Sequence, residues 1–430
     1  MKINHNNIIY TNNSKETSKD TTFVVSKENE QFINSAKSNG CINFIKSSEL
    51  INKFDFSNIQ IVGITGTNGK TTTSAAIYSI LLDLGYKVAL QGTRGFFIND
   101  EKVEDYSLTT PVQLVNFDHI NKAIKEKCDF FIMEVSSHSI SQNRIEGLNF
   151  AIKVHTNITQ DHLDYHKTLQ DYIDIKNSFF NDDSMKLINK DDKNIKFKMK
   201  NTYAYGADNP ATYKVSAYSL KNGIHLALQH FSNIVNFSSS MIGFFNVYNL
   251  TAAVACVNLL TKKPLQEICD MVEYFGGVSG RMEVISKEPY IIVDFAHTPD
   301  GMKSVFDSFA GMDIITVFGA GGDRDKSKRP LMGAIANKYS KHTIITSDNP
   351  RFEDPDIITD DILKGCKDKS IVSIELNRKQ AISNAMKISK EYNNSIILVL
   401  GKGDEDNQII YDQKIHFNDK EVIKELLLNF

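Results

Sequence analysis

Tryptophan is absent from this 430-residue chain, proline occurs only 8 times, and its 5 cysteines are scattered. Cys41, Cys128, Cys256, Cys269 and Cys366 form no C-x-x-C pair. A clustered disulfide framework is therefore not indicated, and a reduced, cytoplasmic compartment is the simple expectation. Charge of one sign is also lacking. A net charge of -3 gives no reason to expect nucleic acid or an anionic membrane as a partner. The opening stretch, "MKINHNNIIYTNNSKETSKD", has no apolar run of the secretory kind. Interior runs such as "SIILVL" at 395–400 are far too short to cross a bilayer. No internal repeat and no low-complexity tract breaks the pattern. With 41% hydrophobic and 23% charged residues, the composition is that of a globular protein long enough for two or three domains.

Residues 1–58 are rich in Asn, Ser and Lys and promise only short strands and helices. From Ile59 onward, short apolar strands alternate with helical stretches: "IQIVGI" (59–64), "DFFIMEV" (129–135), "FAIKVHTNI" (150–158), "YIIVDFA" (290–296), "DIITVFGA" (313–320), "HTIITSD" (342–348) and "SIILVLG" (395–401). Near-continuous apolar strands of this kind predict parallel sheets covered on both faces, an α/β fold. Between about 185 and 245 the turn-rich stretches "YAYGADNPATY" and "LKNGIH" predict an antiparallel insert. A second α/β series follows "GGVSGRME" (276–283). The expected domains are therefore 1–58, 59–280 and 281–430.

"IVGITGTNGKTTTS" (61–74) carries the first chemistry. Ile64 stands where the usual phosphate-loop spelling requires a glycine, and the glycines fall at 63, 66 and 69. The context is nevertheless that of a phosphate site. A strand precedes the loop, and a helix follows it, with Ile77, Ile80, Leu81 and Leu84 on one face and Gly85 as its stop. Free N–H groups and the positive helix end there favour an anion. Gly66 and Gly69, with Thr67 and Asn68 between them, let the backbone wrap a triphosphate. Lys70 brings a charge to the terminal phosphates, and a Thr71 or Thr72 hydroxyl can hold magnesium. A purely structural turn is the bland alternative. "NKDD" (189–192) also matches the guanine-reading N-K-x-D, but no D-x-x-G switch lies between it and the loop.

Glu134 closes a strand, a position where α/β proteins place ligands and where a carboxylate suits magnesium on ATP phosphates. His162 and His166 have a spacing that a zinc pair could use, but Asp161 and Asp164 make the neighbourhood one for hard cations. In "LQDYIDIKNSFF", Leu169, Tyr172, Ile173, Lys176 and Phe180 share one helical face. Lys176 thus lies on an apolar stripe. The residues alone favour a lysine that snorkels or pairs with a nearby aspartate, because a buried ammonium is costly.

Taken together, "TGTNGKTT", "EVSSHSISQNR" and "TNITQDHLDYH…YIDIKNSFF" resemble the Mur ligase superfamily and the related folylpolyglutamate synthetases. The resemblance runs from Ile59 over nearly all the remaining chain. It implies a three-domain architecture: a small N-terminal α/β domain, a central phosphate-loop ATPase domain with a parallel sheet, and a C-terminal Rossmann-like domain. It also implies ATP-driven activation of a carboxylate as an acyl phosphate, which an amine then attacks. In this family a lysine carbamylated by carbon dioxide bridges a second magnesium with a histidine and a glutamate. Carried over, these are Lys176, His162 and Glu134, with Thr71 at the first ion.

"LTTPVQL" (108–114) and the "SSHSISQNR" stretch resemble contacts to a UDP-muramoyl peptide, implying Thr109, Thr110, Ser136, Gln142 and Arg144. The resemblance implies Asn249 as an adenine contact and Arg281, Asp294 and His297 on the ATP side. "SDNPRFEDP" (347–355) resembles the signature of Mur ligases that add meso-diaminopimelate rather than lysine. The physical reading agrees, because a guanidinium fork at Arg351 can grip the distal carboxylate that lysine lacks. Arg324, Asp348, Asn349, Pro350, Gly401 and Glu405 complete that implied set. Two departures stand out. Asp404 occupies the histidine position of the family's G-K-G-H-E, and Asn13-Ser14-Lys15 replaces Asp-Ser-Arg in a shortened uridine-binding start, where Ser14 is the implied contact. A monomer acting on small molecules is expected. The rivals are a lysine-adding or folate-type ligase and an ATP-binding regulatory protein without catalysis.

Overall fold

The computed structural model describes residues 1–105, 108–428 and 430. Its backbone is organised around three main sheets. The first comprises Lys2–His5, Ile8–Thr11, Thr21–Val25 and Asn43–Lys46, with the opening pair antiparallel and the remaining pairs parallel. One face buries a small core of its own at Phe23, Ala36 and Cys41, and the other shares a larger core with its neighbour. Ile3, Tyr10, Val24, Leu50 and Phe54 pack with Leu114, Phe117 and Ile120, and the Phe54 and Phe117 rings meet edge to face at 5.2 Å.

The central sheet has 11 strands. Its middle consists of Gln60–Thr65 flanked by Phe130–Glu134 and Phe150–His155, all parallel and buried on both faces. The predicted insert is only partly antiparallel. Met185–Asn189 and Thr202–Gly206 continue the parallel sheet, and Tyr213–Ser219 joins it in the same direction. Antiparallel pairing begins with Ile224–His230 and Asn233–Ser239. The turn signals at 206–212 mark a connection between parallel neighbours rather than a hairpin. There the Asp191 carboxylate accepts the backbone N–H groups of Ala207, Asp208 and Asn209.

The helix Lys70–Asp83 lies against Phe244–Thr261 in the core of this region. By length and composition, with mean hydropathy 1.4, Phe244–Thr261 could cross a membrane, a segment the reading of apolar runs passed over. Its face in this fold is packed against the sheet and against the helix of the phosphate loop.

The third sheet runs Glu283–Lys287, Tyr290–Asp294, Ser395–Leu400, Asp313–Phe318, His342–Ile345 and Val372–Ile374. All its pairs are parallel except the first. Strand 395–400 inserts between 290–294 and 313–318, so the order reverses there. Ligands of open α/β sheets gather at the carboxyl ends of strands near such a reversal. The residues that follow 294, 318, 345 and 400 lie at that edge.

Candidate active site

The strand Gln60–Thr65 delivers the chain to the loop 66–69, and the helix Lys70–Asp83 departs from it. Gly69 is the cap, with φ 85, a left-handed conformation that side chains resist. At Gly66 the constraint is space: a Cβ there would lie 1.9 Å from Thr156 Oγ1. The loop is pinned from the neighbouring strand end. Thr156 Oγ1 donates to Asn68 O at 2.6 Å, Asn68 N–H to Asn157 Oδ1, and Thr67 N–H to Asn157 O. Thr67 Oγ1 lies 2.9 Å from Tyr172 OH and donates to Thr159 O at 3.1 Å. These bonds hold the peptide groups of the variant loop in place, as a preorganised anion cradle requires.

Lys70 Nζ donates to Gly66 O at 2.7 Å and to Thr67 O at 2.9 Å, so the ammonium lies along its own loop. Lys176 Nζ reaches the same Gly66 O at 2.8 Å and approaches Thr65 Oγ1 at 3.4 Å. Lys176 is 1% exposed on the helix Leu169–Ser178, as the apolar stripe predicts, although Leu169 at the start of that stripe is exposed. It does not snorkel, and among the described residues it forms no ion pair with an aspartate. Burial, reinforced by the charge of Lys70, pushes its pKa well below the ordinary lysine value and favours a neutral amine.

Glu134 is equally buried. Its Oε2 accepts from Thr71 Oγ1 and Thr93 Oγ1, each at 3.1 Å, and Oε1 accepts from Thr93 N–H at 3.0 Å. Thr93 was missed from sequence; its signal was a small polar residue just after the strand Val88–Gly92. Among the described residues, no three His, Cys, Asp or Glu side chains converge as a metal site. His166 Nε2 is 2.9 Å from Ser137 Oγ, and the His138 ring packs against both His162 and His166. The remaining donors suit magnesium: a fixed carboxylate oxygen and a threonine hydroxyl, with positions left for phosphate and water. Thr72 is buried in the first turn of the same helix. The N-K-x-D match is structural, because Asp191 holds the 207–209 turn and Asp192 Oδ2 accepts Ile158 N–H.

Thr109, Thr110, Ser136, Gln142 and Arg144 form one network behind Glu134. Thr110 Oγ1 donates to Glu134 O at 2.9 Å, Thr109 Oγ1 lies 3.1 Å from Thr93 Oγ1, and Ser136 N–H donates to Thr110 Oγ1. Arg144 bonds Thr110 O and Gln142 Oε1. Gln142 and Arg144 also line a cavity of about 420 Å³ against the first sheet, with Asn12, Ser26, Asn29 and Lys46 opposite. Ser14 is not among its lining residues; it is buried in a short 3₁₀ turn, with its carbonyl accepting from Thr17 and Asn39.

Asn249 sits beneath the loop. It donates to Asn246 Oδ1 and accepts from Thr73 Oγ1, and a Cβ at Gly69 would lie 2.4 Å from its Oδ1. From the C-terminal side, Arg281 stacks over the Phe295 ring at 4.0 Å, and among the described residues its buried Nε has no hydrogen-bond partner. Asp294 accepts Met282 N–H and Ala296 N–H, and burial raises its pKa. His297 contacts Phe295 O through Nδ1, and burial lowers its pKa to about 4.

Asp348, Asn349, Pro350, Arg351, Gly401 and Glu405 come together at the carboxyl edge of the third sheet. Asn349 Nδ2 donates to Glu405 Oε2 at 2.8 Å, and buried Lys402 Nζ donates to Glu405 Oε2 and Asn349 Oδ1. A Cβ at Gly401 would lie 2.7 Å from Asp348 Oδ2. Pro350 O accepts Glu353 N–H and fixes the turn into Arg351. Arg351 is half-buried, and among the described residues both its side-chain hydrogen bonds leave from Nη1, to Gly322 O and Asn349 O. Arg324 is exposed and lies beside Gly321, as does Arg351. Asp404 has a partner in Arg94, whose Nε is 3.5 Å from its Oδ2.

Residues 64–257 match the Mur ligase middle domain, and residues 280–403 match the Mur ligase glutamate ligase domain. The chain belongs to the Mur ligase family. Members of this family are ATP-dependent and use magnesium. Among its relatives, the UDP-N-acetylmuramoyl-L-alanyl-D-glutamate–2,6-diaminopimelate ligase of Wolinella succinogenes is 52% identical over 95% of this chain and 94% of its own length. The ligase of the same name from Helicobacter pylori is 48% identical over 97% and 95%. A solved diaminopimelate ligase structure superposes with TM-score 0.67 at 27% identity, covering 98% of this Mur ligase chain and 94% of the other. Mycobacterium tuberculosis folylpolyglutamate synthase shares the fold, with TM-score 0.69 at 15% identity over 83% and 91%.

Proposed function

We propose that this Mur ligase joins meso-2,6-diaminopimelate to UDP-N-acetylmuramoyl-L-alanyl-D-glutamate at the expense of ATP, the cytoplasmic step that adds the third residue to the muramoyl peptide. The observation that supports the reading is the meeting of the two domains near the phosphate loop, where His297 approaches Asp161 and Asp404 approaches Arg94. The central side carries the phosphate loop, Glu134 and buried Lys176, and the other side carries Asp348–Arg351 and Glu405. Relatives at 48–52% identity over nearly the whole chain bear the name of that activity.

The D-glutamyl carboxylate attacks the γ-phosphorus, ADP leaves, and the acyl phosphate is attacked by the amine to give amide and phosphate. This chain supplies alignment and charge. The amides of Gly69 and the first helical turn, which Asn157 does not take, hold the triphosphate with Lys70, and Arg144, Thr110 and Ser136 hold the muramoyl peptide. Arg351 grips the distal carboxylate of the acceptor, while Glu405, aligned by Asn349 and Lys402, receives its distal amine. Magnesium, held through Thr71 and Glu134, would neutralise charge on the phosphates. Lys176 is suited to carbamylation, because only a neutral amine adds to carbon dioxide and burial favours that form. The resulting anion would stand with Glu134 and His162 as a hard-cation donor.

Phosphate release from the complete protein, supplied with UDP-N-acetylmuramoyl-L-alanyl-D-glutamate and ATP, tests the reading. Turnover with diaminopimelate and much weaker turnover with L-lysine is expected. No release with diaminopimelate from folded protein overturns it, and equal turnover with lysine overturns the assigned acceptor.

A further inference from the structure

Asp161 was read above only as part of a hard-cation neighbourhood, and Lys328 was assigned nothing. Their juxtaposition is an unusual one. Asp161 belongs to the central domain, two residues beyond Thr159, whose N–H donates to Thr67 Oγ1 of the phosphate loop at 2.9 Å. Lys328 opens the helix Lys328–Tyr339 of the C-terminal domain, 167 residues along the chain. Lys328 Nζ lies 3.4 Å from Asp161 Oδ1, and both residues are buried, Asp161 to 4% exposure. The other carboxylate oxygen faces His162 Nε2 at 3.4 Å and His297 Nε2 at 3.9 Å. Beside this pair, Gln160 Nε2 reaches Ser327 Oγ at 3.3 Å.

A buried carboxylate and ammonium brought from two domains do little for stability, since desolvation consumes most of their attraction. What the pairing does is place a cation. Lys328 is carried by the C-terminal domain, and the carboxylate it meets lies two residues beyond Thr159, which is bonded to the phosphate loop. Asp161 divides its carboxylate between Lys328 and two histidines, and Lys70 spends its hydrogen bonds on the neutral carbonyl oxygens of its own loop, so both ammonium groups keep capacity for an anion. A transferring phosphoryl group is such an anion, its charge spread over three equatorial oxygens while the bond to the β-phosphate oxygen breaks and the bond to the carboxylate oxygen forms.

We propose that Lys328 contacts the transferred phosphoryl group and that Asp161 is its positioning residue, docking it beside the loop when the domains close. The inference rests on the ligase reading above and adds to it a cation from the second domain, tying phosphoryl transfer to closure. Domain closure that completes a constellation is a general device, and here the completing group is a named amine.

The test separates activation from amide formation. Complete protein, UDP-N-acetylmuramoyl-L-alanyl-D-glutamate and ATP are incubated with hydroxylamine in place of diaminopimelate, so that acyl phosphate is trapped as hydroxamate. Lys328→Met is expected to lower the trapping rate by on the order of 100-fold, the scale for loss of one preorganised transition-state donor. The KM for the muramoyl dipeptide is expected to stay within about 3-fold, because that ligand is held by the central domain. Lys328→Arg keeps the charge and is expected to recover part of the rate. Asp161→Asn is expected to slow trapping too, and in the Asp161→Asn/Lys328→Met double variant the losses should not add, since one residue acts through the other. A Lys328→Met trapping rate within about 3-fold of wild type overturns the proposal, as do additive losses in the double variant. Failure of the wild-type protein to form hydroxamate would instead strike the ligase reading itself.

Discussion

Arg351→Ala is the substitution whose outcome the geometry defines most fully. Arg351 already has a left-handed backbone, φ 52, so alanine introduces no strain that arginine did not carry. Two hydrogen bonds from Nη1 to Gly322 O and Asn349 O are lost, both at a partly solvated edge where water can replace them. The acceptor site loses more. Truncating one partner of a desolvated, hydrogen-bonded charge pair costs about 2–5 kcal/mol. The half-buried setting of Arg351 argues for the lower part of that range, about 2–3 kcal/mol. At 1.4 kcal/mol per tenfold, this is a fall of about 30- to 150-fold in kcat/KM for diaminopimelate. L-Lysine has no distal carboxylate to lose, so its kcat/KM should hold or rise. The assay is phosphate release at saturating ATP and muramoyl dipeptide, with each acceptor varied and the melting temperature recorded. A folded Arg351→Ala protein whose preference for diaminopimelate over lysine changes by less than about 3-fold would refute the fork as the discriminating group.

Lys176→Met replaces a buried amine on an apolar stripe with a hydrophobe of similar length, so the melting temperature should stay level or rise while turnover falls on the order of 100-fold or more. Carbon-13 bicarbonate should give a carbamate resonance in the wild-type protein and none in the variant, and its absence from active wild-type protein would exclude the modification. His119 is fully buried, stacks on Phe96 at 4.0 Å, and has its pKa lowered by burial from 6.5 to about 4. The unfolded chain then binds the proton more readily between those values, so stability is present above pH 6.5 and lost as pH falls towards 4. Its share of the loss between about pH 7.5 and about pH 5 is about 2 kcal/mol. Urea denaturation at the two pH values should show His119→Asn losing that much less than wild type, and equal losses would contradict the burial argument.

Much of the site was legible because it is local in sequence. The strand, the three glycines and the helix face at Ile77, Ile80 and Leu81 lie within a few turns of one another. The 3.6-residue period alone puts Lys176 on a buried face. The antiparallel insert was read too broadly, because turn residues at 206–212 look the same whether the next strand returns as a hairpin or joins in parallel; Asp191 decides, from outside that window. Contacts between domains left no trace. Nothing around Lys328 points to Asp161, nothing at Asp404 points to Arg94, and Ser14 faces inward although the motif it belongs to suggests a ligand.

The seam between the second and third sheets is greasy at one end and ionic at the other. On the apolar side, Ile242 and Phe245 from the central region pack against the C-terminal core. At the mouth, the contacts are Arg94 with Asp404, Gln160 with Ser327, and Asp161 with Lys328. Such a seam behaves as a bivalve: the oily end stays joined while the charged lips part and meet in water at little cost. Added salt should therefore widen the gape long before it loosens either shell.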